Sequence, residues 1–187
     1  MIQSDFNTVG ELVALAEAQH VPVHEIVLKR EMHDRERSRG EVLQEMLKNW
    51  QVMQESIVRG IQNTERSLSG MTGGDAKKLY AYRASGYMGE AAIEAAAYAV
   101  GISEVNAVMG RIVACPTAGS CGIVPAALYA AKKQRRLADG DIVLALLTAA
   151  GIGMVVDQNA SIAGAAGGCQ AEIGTASVIL GAGREKK

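Results

Sequence analysis

Aromatic residues, prolines, cysteines and net charge are all scarce in this chain. Phe, Trp and Tyr make up 4% of its 187 residues, which argues against the stacking surfaces that single-stranded nucleic acids use. The formal net charge is −1, so non-specific attraction to nucleic acids or anionic membranes is not expected either. The composition therefore predicts neither a nucleic acid nor a membrane as a partner.

The three cysteines are an odd number, and no segment resembles a secretion signal. We therefore expect a cytoplasmic protein with thiol or metal chemistry rather than disulfides. Cys115, Cys121 and Cys169 do not have the spacing of a zinc ribbon. A lone cysteine in an apolar helical protein is usually a small buried hydrophobe. Cys169 is the best candidate for another role, because it lies in a glycine-rich stretch beside Gln170 and Glu172.

Strand-like alternation of apolar and polar residues does not occur over any length, whereas helix-type spacing recurs. Apolar residues make up 49% and charged residues 21%, as in globular proteins. The apolar run 142–156 is short for a membrane span, and we interpret it as a buried helix pair. The sequence predicts an all-α fold, with an N-terminal helical region over 1–66 and a Gly/Ala-rich region over 67–187.

Capping-box sequences predict two helix starts, at Thr8–Glu11 and at Ser38–Glu41. Pro22 marks the start of another helix. Apolar residues then recur at alternating three- and four-residue steps over 43–61, which predicts a long amphipathic helix. We interpret its methionine and tryptophan stripe as packing rather than a cofactor site.

Further helices are predicted after Asp75, which is a candidate N-cap, and over 90–100, about 122–134 and 141–150. The sequence Gly-Ile-Gly at 151–153 predicts a break between the last of these and a further apolar turn.

Three loops rich in glycine and hydroxyl side chains punctuate the second half, at 67–75, 116–122 and 159–170. Backbone amides and hydroxyls at helix N-termini bind carboxylates and phosphates, so the loops are candidates for one small polar ligand. The alternative is that each loop only permits a tight helix crossing. No phosphate-loop or dinucleotide-binding pattern occurs, and nothing beyond residue types supports a Ser-His-Asp triad.

Four motifs, in order, resemble the alpha chain of iron–sulfur-dependent L-serine dehydratase. They are Ser-Gly-Met-Thr-Gly-Gly-Asp-Ala (69–76), Glu-Val-Asn-Ala-Val-Met-Gly (104–110), Cys-Pro-Thr-Ala-Gly-Ser-Cys-Gly-Ile-Val-Pro (115–125) and Gly-Cys-Gln-Ala-Glu-Ile-Gly (168–174). The resemblance runs from about Thr8 to Ser177. It implies a lyase that converts L-serine to pyruvate and ammonia without pyridoxal phosphate, in serine catabolism and gluconeogenesis.

The resemblance also implies a [4Fe–4S] cluster held by three cysteines, whose open iron acts as a Lewis acid on the serine hydroxyl while a base removes the α-proton. Cys169 matches the first of these cysteines. The family's other two lie in later Cys-Asp-Pro and Pro-Cys segments that this sequence does not contain. We therefore expect a C-terminally truncated alpha chain, with a partial catalytic region over 67–187, in which Cys115 and Cys121 are not cluster ligands.

By the same resemblance, a beta chain supplies the basic histidine, so that the protein is a hetero-oligomer, and some members respond to potassium. The implied substrate-binding residues are Ser69, Thr72, Gly73, Asp75, Asn106, Thr117, Ser120 and Gly122, with Asn159 as a further candidate. Two other functions stay open. One is an inactive helical module that binds the beta chain, and the other is a helical small-molecule binder without a cluster.

Overall fold

The computed structural model describes residues 4–160 and 164–182, and all regular structure in these residues is helical. The all-α prediction is confirmed. The helices are α1 Val9–Gln19, α2 Val23–Asp34, α3 Arg39–Gln62, α4 Asp75–Tyr82, α5 Glu90–Ala107, α6 Ile123–Arg135, α7 Asp139–Asn159 and α8 Gly164–Ala182. A short 3-10 turn, Arg83–Ser85, follows α4.

The predicted helix starts in the N-terminal region are confirmed. The Thr8 hydroxyl accepts the Glu11 N–H at 3.1 Å, and the Glu11 carboxylate accepts the Thr8 N–H at 3.3 Å. The Ser38–Glu41 box forms in the same way, and Pro22 is the N-cap of α2. Trp50 on the predicted stripe of α3 is fully buried, so this stripe is core packing.

Two predicted helix ends are wrong. Helix α5 continues past residue 100 to Ala107, and α7 continues through Gly151 and Gly153. The apolar run 142–156 is therefore part of one helix and not a helix pair. Gly151 sits where a Cβ atom would lie 2.4 Å from Cγ2 of Val27, so this glycine permits close packing of α7 on α2 rather than a break.

Helix α7 is the one helix in the described residues with the length and apolar composition to cross a membrane. Half of its most apolar stretch is buried, with Leu146 and Leu147 among the buried side chains. A core helix has the same length and composition, and α7 packs mainly against α2 and α8.

The described residues pack into two compact units. One combines residues of 1–48 and 139–187, and its core includes Leu28, Val42 and Leu147. The other is formed by Asn49–Ala138, with a core of Ile57, Tyr98, Ile102, Cys121, Ala126 and Ala130. These two units are defined by packing. The sequence-based division into an N-terminal region over 1–66 and a catalytic region over 67–187 concerns function, and it stays a prediction.

Candidate functional site

The last turn of α5 holds two of the three predicted loops. The Glu104 carboxylate accepts the N–H groups of Asp75 and Ala76 through Oε1, at 2.7 and 3.4 Å. Asn106 donates from Nδ2 to the carbonyl oxygen of Ala118 at 3.1 Å. Residues two apart leave a helix on nearly opposite sides, because each residue turns it by about 100°. The two loops therefore flank the end of α5.

The loop before α4 closes on its own hydroxyl groups. Ser67 and Thr72 bond to each other twice, since the Ser67 N–H donates to the Thr72 carbonyl at 2.9 Å and the Ser67 hydroxyl accepts the Thr72 N–H at 3.3 Å. The Ser69 hydroxyl lies 3.2 Å from that of Ser67. Ser69 is exposed and Thr72 is half-buried, so a ligand that approaches this loop meets Ser69 first.

Gly73 fixes the position of this loop. Its φ of +134° is a conformation that side chains rarely adopt, and a Cβ atom there would lie 2.2 Å from the carbonyl oxygen of Glu65. The Glu65 N–H in turn donates to Oδ1 of Asn63, a buried residue at the end of α3. Gly73 thus permits the close approach of two backbone segments, and its role in substrate binding stays a prediction.

Asp75 is not the N-cap of α4, contrary to the sequence prediction. Gly74 occupies that position in a left-handed conformation, and Asp75 is the first helical residue. The Asp75 carboxylate binds Lys78 at 2.9 Å, and this hydrogen bond lowers the pKa of Asp75. The side chain that caps α4 comes from α5 instead, because Glu104 takes the two amides that a local N-cap residue would otherwise serve.

Glu104 was missed as a site residue by sequence reasoning. It appeared only as the first letter of the 104–110 motif, and its two partners lie 29 and 28 residues away along the chain. Since its carboxylate already occupies the start of α4, the amides of Asp75 and Ala76 are not available to a second anion in this structure.

The 115–122 loop is built around a pair of hydroxyls. Thr117 Oγ1 lies 3.1 Å from Ser120 Oγ, and the Ser120 hydroxyl donates to the carbonyl oxygen of Cys115 at 3.4 Å. Ser120 is buried and Thr117 is half-buried. A ligand therefore reaches the Thr117 hydroxyl first, while the Ser120 hydroxyl orients the side chain of Thr117. The loop leads into α6 at Gly122, which packs directly on the backbone of α5.

The two cysteines of this loop have the properties of packing residues. Cys121 is completely buried, and Cys115 is half-buried. Burial raises the pKa of the Cys115 thiol to about 11, and it also raises the pKa of Cys121. Metal ligation and nucleophilic attack both need the thiolate, which burial disfavours in both cysteines.

Cys169 is exposed, but it does not lie in a loop as predicted. It is part of α8, directly after Gly168, whose φ of 74° and ψ of 173° kink the helix. Of the predicted 159–170 loop, residues 164–170 are thus helical and 161–163 lie outside the described residues. Asn159 ends α7, where its Nδ2 donates to the carbonyl oxygens of Asn7 and Val155 at 2.7 and 2.8 Å.

The cysteine environments predict a simple thiol titration. At pH 8 one thiol per native chain should react rapidly with Ellman's reagent, because only Cys169 is exposed, and all three should react after unfolding in guanidinium chloride. Cys169→Ser should remove the rapid phase. Its two remaining thiols should react fully only after unfolding. Rapid reaction of all three thiols in the native wild type would contradict the buried position of Cys121.

The metal donors among the described residues do not form a cluster site by themselves. Over residues 4–160 and 164–182, no three His, Cys, Asp or Glu side chains come together in a group that could hold a metal ion. Cys169 offers an exposed thiol. A [4Fe–4S] cluster takes several cysteine thiolates, so the residues described here do not fit it without further ligands.

Comparison with known proteins identifies the family. The family model for the serine dehydratase alpha chain matches residues 18–184. The chain is 40% identical over 179 residues to the probable L-serine dehydratase alpha chain of Bacillus subtilis, and 36% identical over 178 residues to the L-serine dehydratase alpha chain of Peptoniphilus asaccharolyticus. It is 34% identical over 187 residues to the L-serine dehydratase TdcG of Escherichia coli.

These matches cover 95%, 94% and 96% of this chain, respectively. They cover 59%, 61% and 40% of the relatives, so the chain spans about three fifths of the two alpha chains and two fifths of TdcG. The family match includes both loops held by α5, the hydroxyl pair at Thr117 and Ser120, and Cys169. This chain therefore belongs to the serine dehydratase alpha chain family.

Proposed function

We propose that this chain supplies the L-serine-binding loops of an L-serine dehydratase, a lyase that converts L-serine to pyruvate and ammonia. The observation that carries the proposal is the family match over residues 18–184, together with 34–40% identity to proteins named L-serine dehydratase. The two loops held by α5 lie wholly inside the matched region.

The residues of the loops have chemistry that suits an amino acid. Thr117 presents a hydroxyl that Ser120 orients, and Ser69 and Thr72 present hydroxyls from the other loop. Hydroxyl groups both donate and accept hydrogen bonds, so they serve the carboxylate and the side-chain hydroxyl of serine. Asn106 and Gly122 hold the second loop against α5 and act on the substrate only through its position.

The reaction is an α,β-elimination. Serine loses its α-proton and its β-hydroxyl, and the resulting enamine gives pyruvate and ammonia on hydrolysis. Hydroxide is a poor leaving group, so acid or metal assistance is needed at the hydroxyl. The base belongs to a beta chain in this proposal, and the functional protein is a hetero-oligomer.

Cys169 is, in the same proposal, one ligand of a [4Fe–4S] cluster. Its support is the exposed position of the thiol and its place in the Gly-Cys-Gln-Ala-Glu-Ile-Gly motif. Because no three His, Cys, Asp or Glu side chains group together in the part of the chain that the structure describes, the cluster in this proposal needs further ligands. We assign no step of the reaction to the cluster.

A second candidate function follows from the incomplete donor set. A chain without a full set of cluster ligands still folds into helical units, and it would then act as a module that binds the beta chain without catalysis. The experiment below separates the two functions.

Anaerobic reconstitution with iron and sulfide, with the beta chain added, tests the proposed function. We expect bound iron, pyruvate from L-serine, and a calorimetric binding signal for L-serine that Thr117→Val weakens. Cys169→Ser should lose the iron, whereas Cys115→Ser should keep it.

Two results would contradict this proposal in different ways. If the chain binds the beta chain but neither L-serine nor iron, the module function stands instead. If Cys115→Ser loses iron and Cys169→Ser does not, the assignment of the cluster ligand is wrong although the enzyme function holds.

A further inference from the structure

Glu104 is a buried carboxyl group with one of its two oxygens left without a partner among the described residues. Its side chain is 1% exposed. Oε1 accepts the N–H groups of Asp75 and Ala76, whereas Oε2 is buried and has no hydrogen-bond partner in the part of the chain that the structure describes. Within the same residues Glu104 forms no ion pair. Buried polar atoms are nearly always partnered, and an unpaired buried charge is costly.

The start of α4 explains one oxygen of this carboxylate, because Oε1 accepts two N–H groups at a helix N-terminus that favours negative charge. It does not explain Oε2, for which the described residues supply no donor. A cationic donor would suit this second oxygen.

Within the described ranges, Asn63 carries a second buried atom without a hydrogen-bond partner, and its side chain bonds to the backbone of Glu65 in the loop before α4. Nδ2 of Asn63 is a hydrogen-bond donor with no acceptor among the described residues. Asn63 holds the Glu65 N–H, and the carbonyl oxygen of Glu65 lies 2.2 Å from the Cβ position of Gly73. Gly73 is followed within two residues by Asp75, whose N–H binds Glu104. Asn63 is thus linked to the segment 73–75 only through the backbone of Glu65, whereas Glu104 contacts this segment directly.

We propose that Oε2 of Glu104 binds the α-ammonium group of the amino-acid substrate, an inference that rests on the proposed function. An amino acid carries the cationic donor that Oε2 lacks among the described residues, and its carboxylate is left to the loop hydroxyls. Because Oε2 is buried, binding requires a local opening around the start of α4, next to a loop in which Leu68 and Met71 are exposed rather than packed in the core. A buried water is the competing partner for Oε2.

A pair of ligands that differ only in the amino group tests this role. L-Serine and L-glycerate share the carboxylate and the hydroxymethyl group, but L-glycerate has a hydroxyl in place of the ammonium. By calorimetry on the full chain, the wild type should prefer L-serine. Glu104→Gln should weaken L-serine binding by about 10- to 100-fold, because a charge-assisted hydrogen bond is lost, and should leave the Kd for L-glycerate unchanged.

Glu94→Gln is the matched control, since Glu94 is a buried glutamate of the same helix whose carboxylate is paired with Lys133 at 2.6 Å. It should lower the Tm because it breaks a pair, while the preference for L-serine persists. Glu104→Gln keeps the contacts to Asp75 and Ala76 but loses the charge at the start of α4, so its ligand binding is measured below its own Tm.

The outcomes are distinct. An unchanged preference in folded Glu104→Gln overturns the role of Glu104, assigns Oε2 to a water and leaves the proposed function intact. Absence of any L-serine binding by the wild type, alone and with the beta chain, overturns the proposed function. If Glu104→Gln does not fold, the two ligands are compared on the wild type alone. Equal Kd values for L-serine and L-glycerate would then contradict recognition of the ammonium group.

Discussion

Replacing Gly60 with alanine should lower the free energy of unfolding by about 2–4 kcal/mol. Helices α3 and α5 cross at Gly60 and Gly101, and a Cβ atom on Gly60 would lie 2.4 Å from the carbonyl carbon and oxygen of Gly101. Both partners are backbone atoms, so no change of rotamer relieves the overlap and the helices must separate. Denaturation in urea, followed by circular dichroism, measures the loss.

Two further alanine variants make this prediction specific to the crossing. Gly101→Ala should cost less, because its nearest Gly60 atoms lie at 3.1 Å. Gly40→Ala, also in α3, meets nothing within 4 Å and should stabilise the protein by about 0.5–1 kcal/mol, since alanine favours the helix. Equal effects of Gly40→Ala and Gly60→Ala would show that the two helices do not touch at Gly60.

The glycines also mark where sequence reasoning fails. The N-terminal capping boxes were predictable, because a capping box joins residues three apart and its whole cause is local. The predicted helix over 90–100 stopped just before Gly101, and Gly151 was interpreted as part of a break, yet both glycines lie inside helices at close contacts with another helix. A glycine that permits a crossing and a glycine that ends a helix look alike until the distant partner is known.

The same distinction applies to the candidate site. The 67–75 and 115–122 loops could be found from the sequence, because their glycines and hydroxyls are contiguous. Glu104 could not, because its role depends on two amides that lie in another helix. The cysteines of the second loop are metal ligands by residue type alone, but a lone cysteine in an apolar helical protein was expected to pack, and the burial of Cys121 agrees with that.

The largest effect on the site itself is expected from Gly122→Ala. A Cβ atom at this position would lie 2.3 Å from the carbonyl oxygen of Ala99 and 3.0 Å from its carbonyl carbon. Gly122 precedes the first residue of α6 and follows Ser120, whose hydroxyl orients Thr117. The overlap must therefore move the start of α6 and the 115–122 loop away from α5, with a loss of about 2–4 kcal/mol in the free energy of unfolding.

Binding of L-serine should fall more than stability alone explains, because the displaced loop also loses the bond from Asn106 to the carbonyl oxygen of Ala118. Calorimetry below the unfolding temperature measures this on chain that is still folded. Gly140→Ala is the control, since this helical glycine of α7 meets nothing within 4 Å and the variant should bind L-serine as the wild type does. Loss of stability in Gly122→Ala with unchanged L-serine affinity would remove the 115–122 loop from the binding site, while the contact between this loop and α5 would stand.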